Sequence, residues 1–354
     1  MHSFTYTAHA YRVLFGSGTL SQLPSEVERL GLSRVLVLAT PEQAENAQTL
    51  AKGLGSRAAG VFAGARMHTP VDVTEQAMAH VAAARVDGLV AVGGGSTTGL
   101  AKAIALRTDL PQLVVPTTYA GSEMTPILGE TRDGRKVTQR SPKVLPEVVI
   151  YDVDLTLTLP AGLSMTSGIN AIAHAVEAAY AQDRNPVITL MAVEGVSALF
   201  RALPRIAEAP QDIDARGDAL YGAWLCGICL GSVGMALHHK LCHTLGGTFD
   251  LPHAETHTVL LPHAVAYNRT AAAKELAPFE RALNVENLPR ALYDLADRVG
   301  APRSLEALGM PEDGLAKAAE LALSNPYWNP RPVELDAIRG LLDRAYAGSP
   351  PKES

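Results

Sequence analysis

The chain has 354 residues, 47% of them apolar and 19% charged, with a formal net charge of −6. That size suits two domains or one large α/β unit with a full core, and the acidic balance argues against a nucleic-acid partner. Three cysteines (Cys226, Cys229, Cys242) are too few and too clustered for a disulfide framework, and MHSFTYTAHAYRVLFG has no basic start followed by an apolar core, so no signal peptide and a cytoplasmic protein are expected.

Residues 1–158 alternate strand and helix. Thr19 to Leu30 reads as an amphipathic helix, and the apolar run from Arg34 to Ala39 as a buried parallel strand. A helix from Gln43 to Leu54 and a weak strand at 60–62 follow. A helix over 71–84 comes next, with Asp72 and Thr74 as candidate caps. Gly88 to Val92 is a second buried strand that runs into Gly93-Gly94-Gly95-Ser96, and a helix restarts at Thr98. Strands at 113–115 and 148–151 complete the set. This pattern predicts a Rossmann-like parallel sheet with helices on its faces.

From about residue 159 to 347 strand signals vanish. Helices are expected at 165–181, 187–202, 215–243, 272–283, 288–299, 315–322 and 333–347, an all-helical second domain. The run from Ala219 to Leu237 is long and apolar, but it is dotted with glycine and ends in histidines. It reads as a core helix, not a membrane span, with Cys226 and Cys229 as buried free thiols. Residues 348–354 read as a flexible tail.

Two stretches carry chemistry. Glycines after a strand let a phosphate approach the backbone, and the helix start behind them offers free N–H groups. Gly94, Gly95, Ser96 and Thr97 are therefore candidate cofactor contacts. Thr117 and Thr118 join them, because they end the next strand at the same sheet edge. The second stretch, HHKLCHTLGGTFDLPHAETHTVLLPH from His238 to His263, holds six of the eleven histidines. His239 and His243 share a helix face, as do His253 and His257, with a break expected at Gly246-Gly247 between them and both helix ends turned to one cleft. Asn170 and His174, also four apart, add a third face, and with His239 and His253 they look like the remains of a four-ligand metal site.

These motifs together resemble the iron-containing alcohol dehydrogenase superfamily, and within it the maleylacetate reductases. The similar segments are Val13–Gly16, Gly93–Lys102, Pro116–Glu123, Ser167–His174, the histidine stretch and Asn325–Pro332. The resemblance implies a dehydroquinate synthase-like fold and a homodimer. It also implies NADH- or NADPH-dependent reduction of the carbon–carbon double bond of maleylacetate, a small dicarboxylate, to 3-oxoadipate in bacterial aromatic-compound catabolism. Carried over by position, the superfamily's metal ligands, an aspartate and three histidines, fall on Asn170, His174, His239 and His253. An amide for a carboxylate removes a charge and a hard ligand, Gly99 stands where the alcohol dehydrogenases have aspartate, and His257 where they commonly have asparagine. All three departures point to a site without metal, although three imidazoles alone can still hold zinc.

The reaction needs an enolate stabiliser and a proton donor. His243 is assigned the proton or the main polarisation, since the resemblance places it beside the nicotinamide. His239, His253, His257 and Lys136 are the other catalytic candidates, and His174, Asn170, Tyr327 and Arg331 the substrate-side ones. His238, His263 and His68 are read as structural. No aspartate ends the second strand, which stops at Thr40-Pro41 with Glu42 beyond, so NADPH is expected to be tolerated beside NADH. The rivals are a metal-dependent alcohol dehydrogenase or hydroxyacid–oxoacid oxidoreductase of the same superfamily, a dehydroquinate synthase-like lyase, and a non-catalytic cofactor binder. No membrane partner is expected.

Overall fold

The structure, a computed structural model, describes residues 4–9, 11–132, 135–325 and 327–352. The chain divides into two compact units between Leu159 and Pro160, the residues up to Thr7 grouping with the second.

The first unit is a six-stranded parallel sheet in the order β1-β8-β5-β4-β2-β3. Its strands are β1 (Arg12–Gly16), β2 (Val35–Leu38), β3 (Ala58–Phe62), β4 (Gly88–Gly93), β5 (Gln112–Pro116) and β8 (Val148–Asp152). Alternate residues point to opposite faces, and the two cores separate accordingly. Val35, Val37, Val90, Val92, Leu113 and Val115 pack against α1 (Leu23–Arg29) and α2 (Ala44–Leu54). Leu36, Leu38, Leu89, Ala91 and Val114 pack against α3 (Val71–Ala84) and α4 (Gly95–Thr108). From β2 the chain moves outward to β3, then crosses back to β4 and on to β5. The strand order therefore reverses between β2 and β4, where open α/β sheets bind ligands.

Two features of this unit are absent from the sequence reading. β1 is an edge strand, partly exposed, and lacks the continuous apolar run of a central one. The antiparallel pair β6 (Ile127–Arg132) and β7 (Arg135–Arg140) is largely polar after its opening Ile127 and Leu128, with no continuous apolar run.

The second unit is helical: α5 (Ala161–Ala179), α6 (Pro186–Glu208), α7 (Ile213–Ser232), α8 (Leu237–Phe249), α9 (His253–Asn268), α10 (Ala273–Leu283), α11 (Leu288–Arg298), α12 (Gly314–Leu323) and α13 (Leu335–Tyr346). α6 and α7 cross at paired glycines: a Cβ on Gly222 would stand 2.8 Å from the Gly195 carbonyl, and one on Gly195 3.0 Å from the Gly222 carbonyl. Cys226 and Cys229 are buried free thiols on α7.

The single helix expected over 215–243 is instead two, α7 and α8, meeting at 93°. Val233 takes an extended conformation, and the Asp183 carboxylate accepts the Gly234 N–H at 2.9 Å, giving the chain a partner outside the helix. Gly246 and Gly247 do not end α8, which runs on to Phe249 and stops at a left-handed Asp250. The tail is not free from Gly348 onward. Gly348 accepts the Tyr293 hydroxyl at 2.6 Å, and the Ser349 amide bonds to the Arg344 carbonyl. The last two residues lie outside the described ones.

Candidate active site

In the α/β unit the glycine turn is sterically obligatory. Gly93 has φ +150, and a Cβ there would meet Thr97 Oγ1 at 2.5 Å and Gln43 Oε1 at 2.6 Å. One on Gly94 would meet Thr118 Cγ2 at 2.9 Å. α4 begins at Gly95, not Thr98, so its first free amides belong to the turn itself. Gly94, Gly95, Ser96 and Thr118 are at least partly exposed there. Thr97 is fully buried beneath the turn, and Thr117 accepts the Gln43 amide at 3.2 Å. Glu42 is exposed past β2, its carboxyl lowered chiefly by the Thr40 hydroxyl. A Cβ on Gly99 would lie 2.3 Å from Thr69 Oγ1, so any side chain here requires Thr69 to shift.

One residue behind this turn had no assigned role. Lys102, on α4, is 1% exposed. Its Nζ donates to the Ser122, Thr125 and Ile127 carbonyls and to Thr125 Oγ1, at 2.5–2.9 Å. Burial pulls its pKa down to about 7, with Glu123 pulling it back. Acceptors surround Nζ on all sides, and only the three-proton ammonium serves them. Glu123 is buried too and accepts the Tyr151 hydroxyl at 2.8 Å. Lys102 thereby anchors the segment that follows Thr117 and Thr118. Lys102→Met is expected to cost on the order of 3 kcal/mol, because it orphans several buried acceptors at once. Urea unfolding would measure this, and an unchanged midpoint would remove Lys102 from this role.

In the helical unit three helices bring imidazoles together. α5 presents Asn170 and His174, α8 His239 and His243, and α9 His253 and His257. One ring nitrogen from each of His174, His239 and His257 lies within 4.8 Å of the others. His253 stacks on His257 at 4.4 Å between centroids, and His243 stands 6.2 Å from His239. The closest grouping of ring nitrogens thus includes His257, with the expected fourth position, His253, packed against it. His253, first residue of α9, sits one turn farther out and is half-buried, and His243 is exposed.

The triad is buried. Burial, reinforced by the neighbouring imidazoles, holds His174 and His257 well below the ordinary histidine range. Asn170 Oδ1, His174 Nδ1, His239 Nε2 and His257 Nε2 are buried and have no hydrogen-bond partner among the described residues. Each such orphan costs about 1–3 kcal/mol, so the cluster is built to receive something polar. His238, read as structural, instead holds His257: its Nε2 lies 2.9 Å from His257 Nδ1. Burial and the neighbouring His239 bring His238 down to about 3, against the pull of Glu177.

Glu177, also unassigned, stands three residues after His174 and is 1% exposed. It bonds to His239 Nδ1 and accepts the backbone N–H of His238 at 2.7 Å and of His239 at 3.3 Å. Burial pushes its carboxyl up, but His239 and these hydrogen bonds prevail and hold it below the usual range. The His-x-x-Glu spacing inside an otherwise apolar helix was the available signal.

The remaining candidates lie apart from the triad's contacts. Arg331 stacks on the Tyr267 ring at 4.2 Å and donates to the Tyr267 carbonyl. Tyr327 packs at the edge of the α8–α9–α12–α13 core under Lys240, its buried hydroxyl without a hydrogen-bond partner among the described residues. Lys136 is on β7, and its side chain lies outside the described residues. His68 and Thr69 both have positive φ.

Three imidazoles, each with one ring nitrogen unpartnered among the described residues and one backed by a carboxylate, fit a zinc-type divalent ion in donor type and number. They equally fit an oxyanion that needs N–H donors. Comparison with known proteins bears on the family. A maleylacetate reductase of Rhizobium sp. (strain MTP-10005) is 59% identical over 99% of this chain and 100% of its own length. One from Burkholderia cepacia is 56% identical over 99% and 100%. The crystal structure of maleylacetate reductase from Agrobacterium tumefaciens superposes with a TM-score of 0.96 at 59% identity, covering 99% of this chain and all of that one. Residues 10–153 match the profile "Iron-containing alcohol dehydrogenase" and residues 164–346 "Fe-containing alcohol dehydrogenase family, C-terminal". With both units matched almost end to end, the chain belongs to the iron-containing alcohol dehydrogenase family.

Proposed function

We propose that this chain is a maleylacetate reductase, transferring hydride from NADH or NADPH to the carbon–carbon double bond of maleylacetate to give 3-oxoadipate. Full-length likeness to reductases of that activity supports the reaction. The observation that carries the chemistry is the buried imidazole triad beside Asn170, with its unpartnered ring nitrogens. Hydride arrives at the carbon β to the ketone, the π pair moves onto the carbonyl oxygen, and the enolate so formed takes a proton on the α carbon. NAD(P)⁺ and 3-oxoadipate leave.

Neutral imidazoles are donors as well as acceptors. His257 and His174 are read here as donors toward the enolate oxygen or a substrate carboxylate, worth more in a buried site than in water. His253 flanks them. His243 is the proton donor: it alone of the cluster is exposed, so water can reload it between turnovers. The glycine turn takes the dinucleotide phosphates. A homodimeric, cytoplasmic enzyme is part of the same reading and rests on the family resemblance.

The reading assigns no step to a metal, in keeping with Asn170 at the carboxylate position. A second reading is favoured by the triad itself. His174, His239 and His257 would hold a divalent ion, which when bound would polarise the ketone. NADH oxidation with maleylacetate, run before and after exhaustive chelation alongside elemental analysis, decides. Turnover unchanged by chelation, with metal far below one equivalent, is expected. Activity that vanishes and returns with zinc or iron would establish the second reading, and oxidation of simple alcohols in place of maleylacetate turnover would refute both.

A further inference from the structure

Glu177 has no cationic side chain in the hydrogen bonds described for it, yet it is buried on the same face of α5 as His174. Both of its oxygens are engaged. Oε1 accepts the His238 amide, Oε2 accepts the His239 amide, and Oε2 also meets His239 Nδ1. These amides belong to the first turn of α8, whose N–H groups have no partner within the helix. A carboxylate placed there offers acceptors only. The proton on the Glu177–His239 contact is therefore carried by Nδ1, and in the neutral ring the lone pair is then on Nε2. That Nε2 is buried, has no hydrogen-bond partner among the described residues, and belongs to the triad with His174 and His257.

We infer that Glu177 is a positioning residue for the reaction: it fixes His239 as the Nδ1–H tautomer and aims its bare Nε2 into the triad. His239 is then the acceptor of the cluster, the imidazole that takes a hydrogen bond from a protonated substrate group or from the proton donor, while His174 and His257 stay free to donate. The assignment also explains why α8 starts where it does. The same carboxylate that turns the ring caps the helix, so ring orientation and helix register are set by one side chain. The inference rests on the proposed reduction only for its kinetic part, because the tautomer is a property of the protein without substrate.

The first test needs no substitution. Nitrogen-15 NMR of histidine-labelled enzyme, with the His239 signals identified by loss in His239→Asn, should show protonated Nδ1 and bare Nε2. A His239 ring protonated at Nε2 alone, or at both nitrogens, would overturn the inference whether or not any variant folds. The second test is a double-mutant cycle. Glu177→Gln keeps the size but loses one acceptor and the charge, and should lower kcat about 10–100-fold with KM for NADH unchanged. In the His239→Asn background the same change should cost less than about threefold, since the residue through which it acts is already gone. Equal losses in both backgrounds, matched by equal losses of thermal stability, would leave Glu177 as a helix cap only and defeat the proposal. If maleylacetate is not the substrate, the kinetic arm gives no turnover in any form while the tautomer arm still decides.

Discussion

Alanine in place of His243 is expected to lower kcat at least about a hundredfold, the ordinary worth of a positioned general acid, while leaving the unfolding temperature within a degree or two. The two halves of that expectation come from one fact. His243 is exposed at the outer edge of the cluster, one helical turn beyond His239 with the rings 6.2 Å apart. An exposed side chain contributes little to packing, so the fold should not notice its loss. A proton donor must be recharged each cycle, and among the six imidazoles gathered here (His174, His238, His239, His243, His253, His257) only His243 is open enough to solvent to do so directly. Steady-state NADH oxidation with maleylacetate, paired with thermal unfolding, measures both. Turnover within threefold of the parent enzyme would transfer the proton step to another group, and half-buried His253 would be next in line.

Acid should unfold the helical unit earlier than its carboxylates alone would require. His238 and His263 are buried and have folded-state pKa values of about 3 and about 4, against about 6.5 for an unfolded histidine. Burial is the main cause in both, with His239 adding to it at His238 and Arg344 at His263. A depressed histidine pKa means the unfolded chain binds the proton first. The stability tied to these groups is complete above about pH 6.5 and drains away as pH falls toward the folded values. At about 1.4 kcal/mol per pH unit and per group, the two together remove on the order of 5 kcal/mol by pH 4, as much as the whole stability of a modest domain. His174 and His257 are shifted the same way and steepen the loss. Urea unfolding followed by circular dichroism at pH 8, 6, 5 and 4 should show a flat upper range and a steep fall below pH 6. His263→Asn should flatten the fall, and a midpoint independent of pH between 7 and 4 would contradict the account.

Much of this architecture was legible before any coordinates. The apolar runs at 34–39, 88–92 and 113–115 became central strands because burial on both faces leaves a continuous signature. β1 and the β6–β7 pair escaped because edge and hairpin strands carry polar residues that resemble loops. The break between α7 and α8 was invisible for a different reason: Ala, Leu, Cys and His continue the helical period straight through it, and the interruption is imposed by Asp183, fifty-one residues away, on Gly234. The histidine cluster was evident as a cluster, but its inner membership was not. Spacing puts His253 and His257 on one face and cannot tell which is deeper. His257 joins the triad because α9 begins at His253, leaving that residue in the first turn. Glu177 and Lys102 went unassigned because each sits in an apolar helix where a lone charge reads as an exception; what explains them is the set of backbone groups they serve, which lies distant in sequence.

The tight contact between position 99 and Thr69 constrains how this enzyme can change. With a Cβ at 99 only 2.3 Å from the Thr69 hydroxyl, a side chain cannot simply be exchanged in. Thr69 is itself buried, with a positive φ of 48° and its carbonyl bonded to the Thr131 amide, so it has little room to retreat. The two positions are therefore coupled: a side chain at 99 requires the Thr69 hydroxyl to move, and a smaller residue at 69 would make room for it. Any larger residue engineered at 99 is therefore best introduced together with a smaller one at 69.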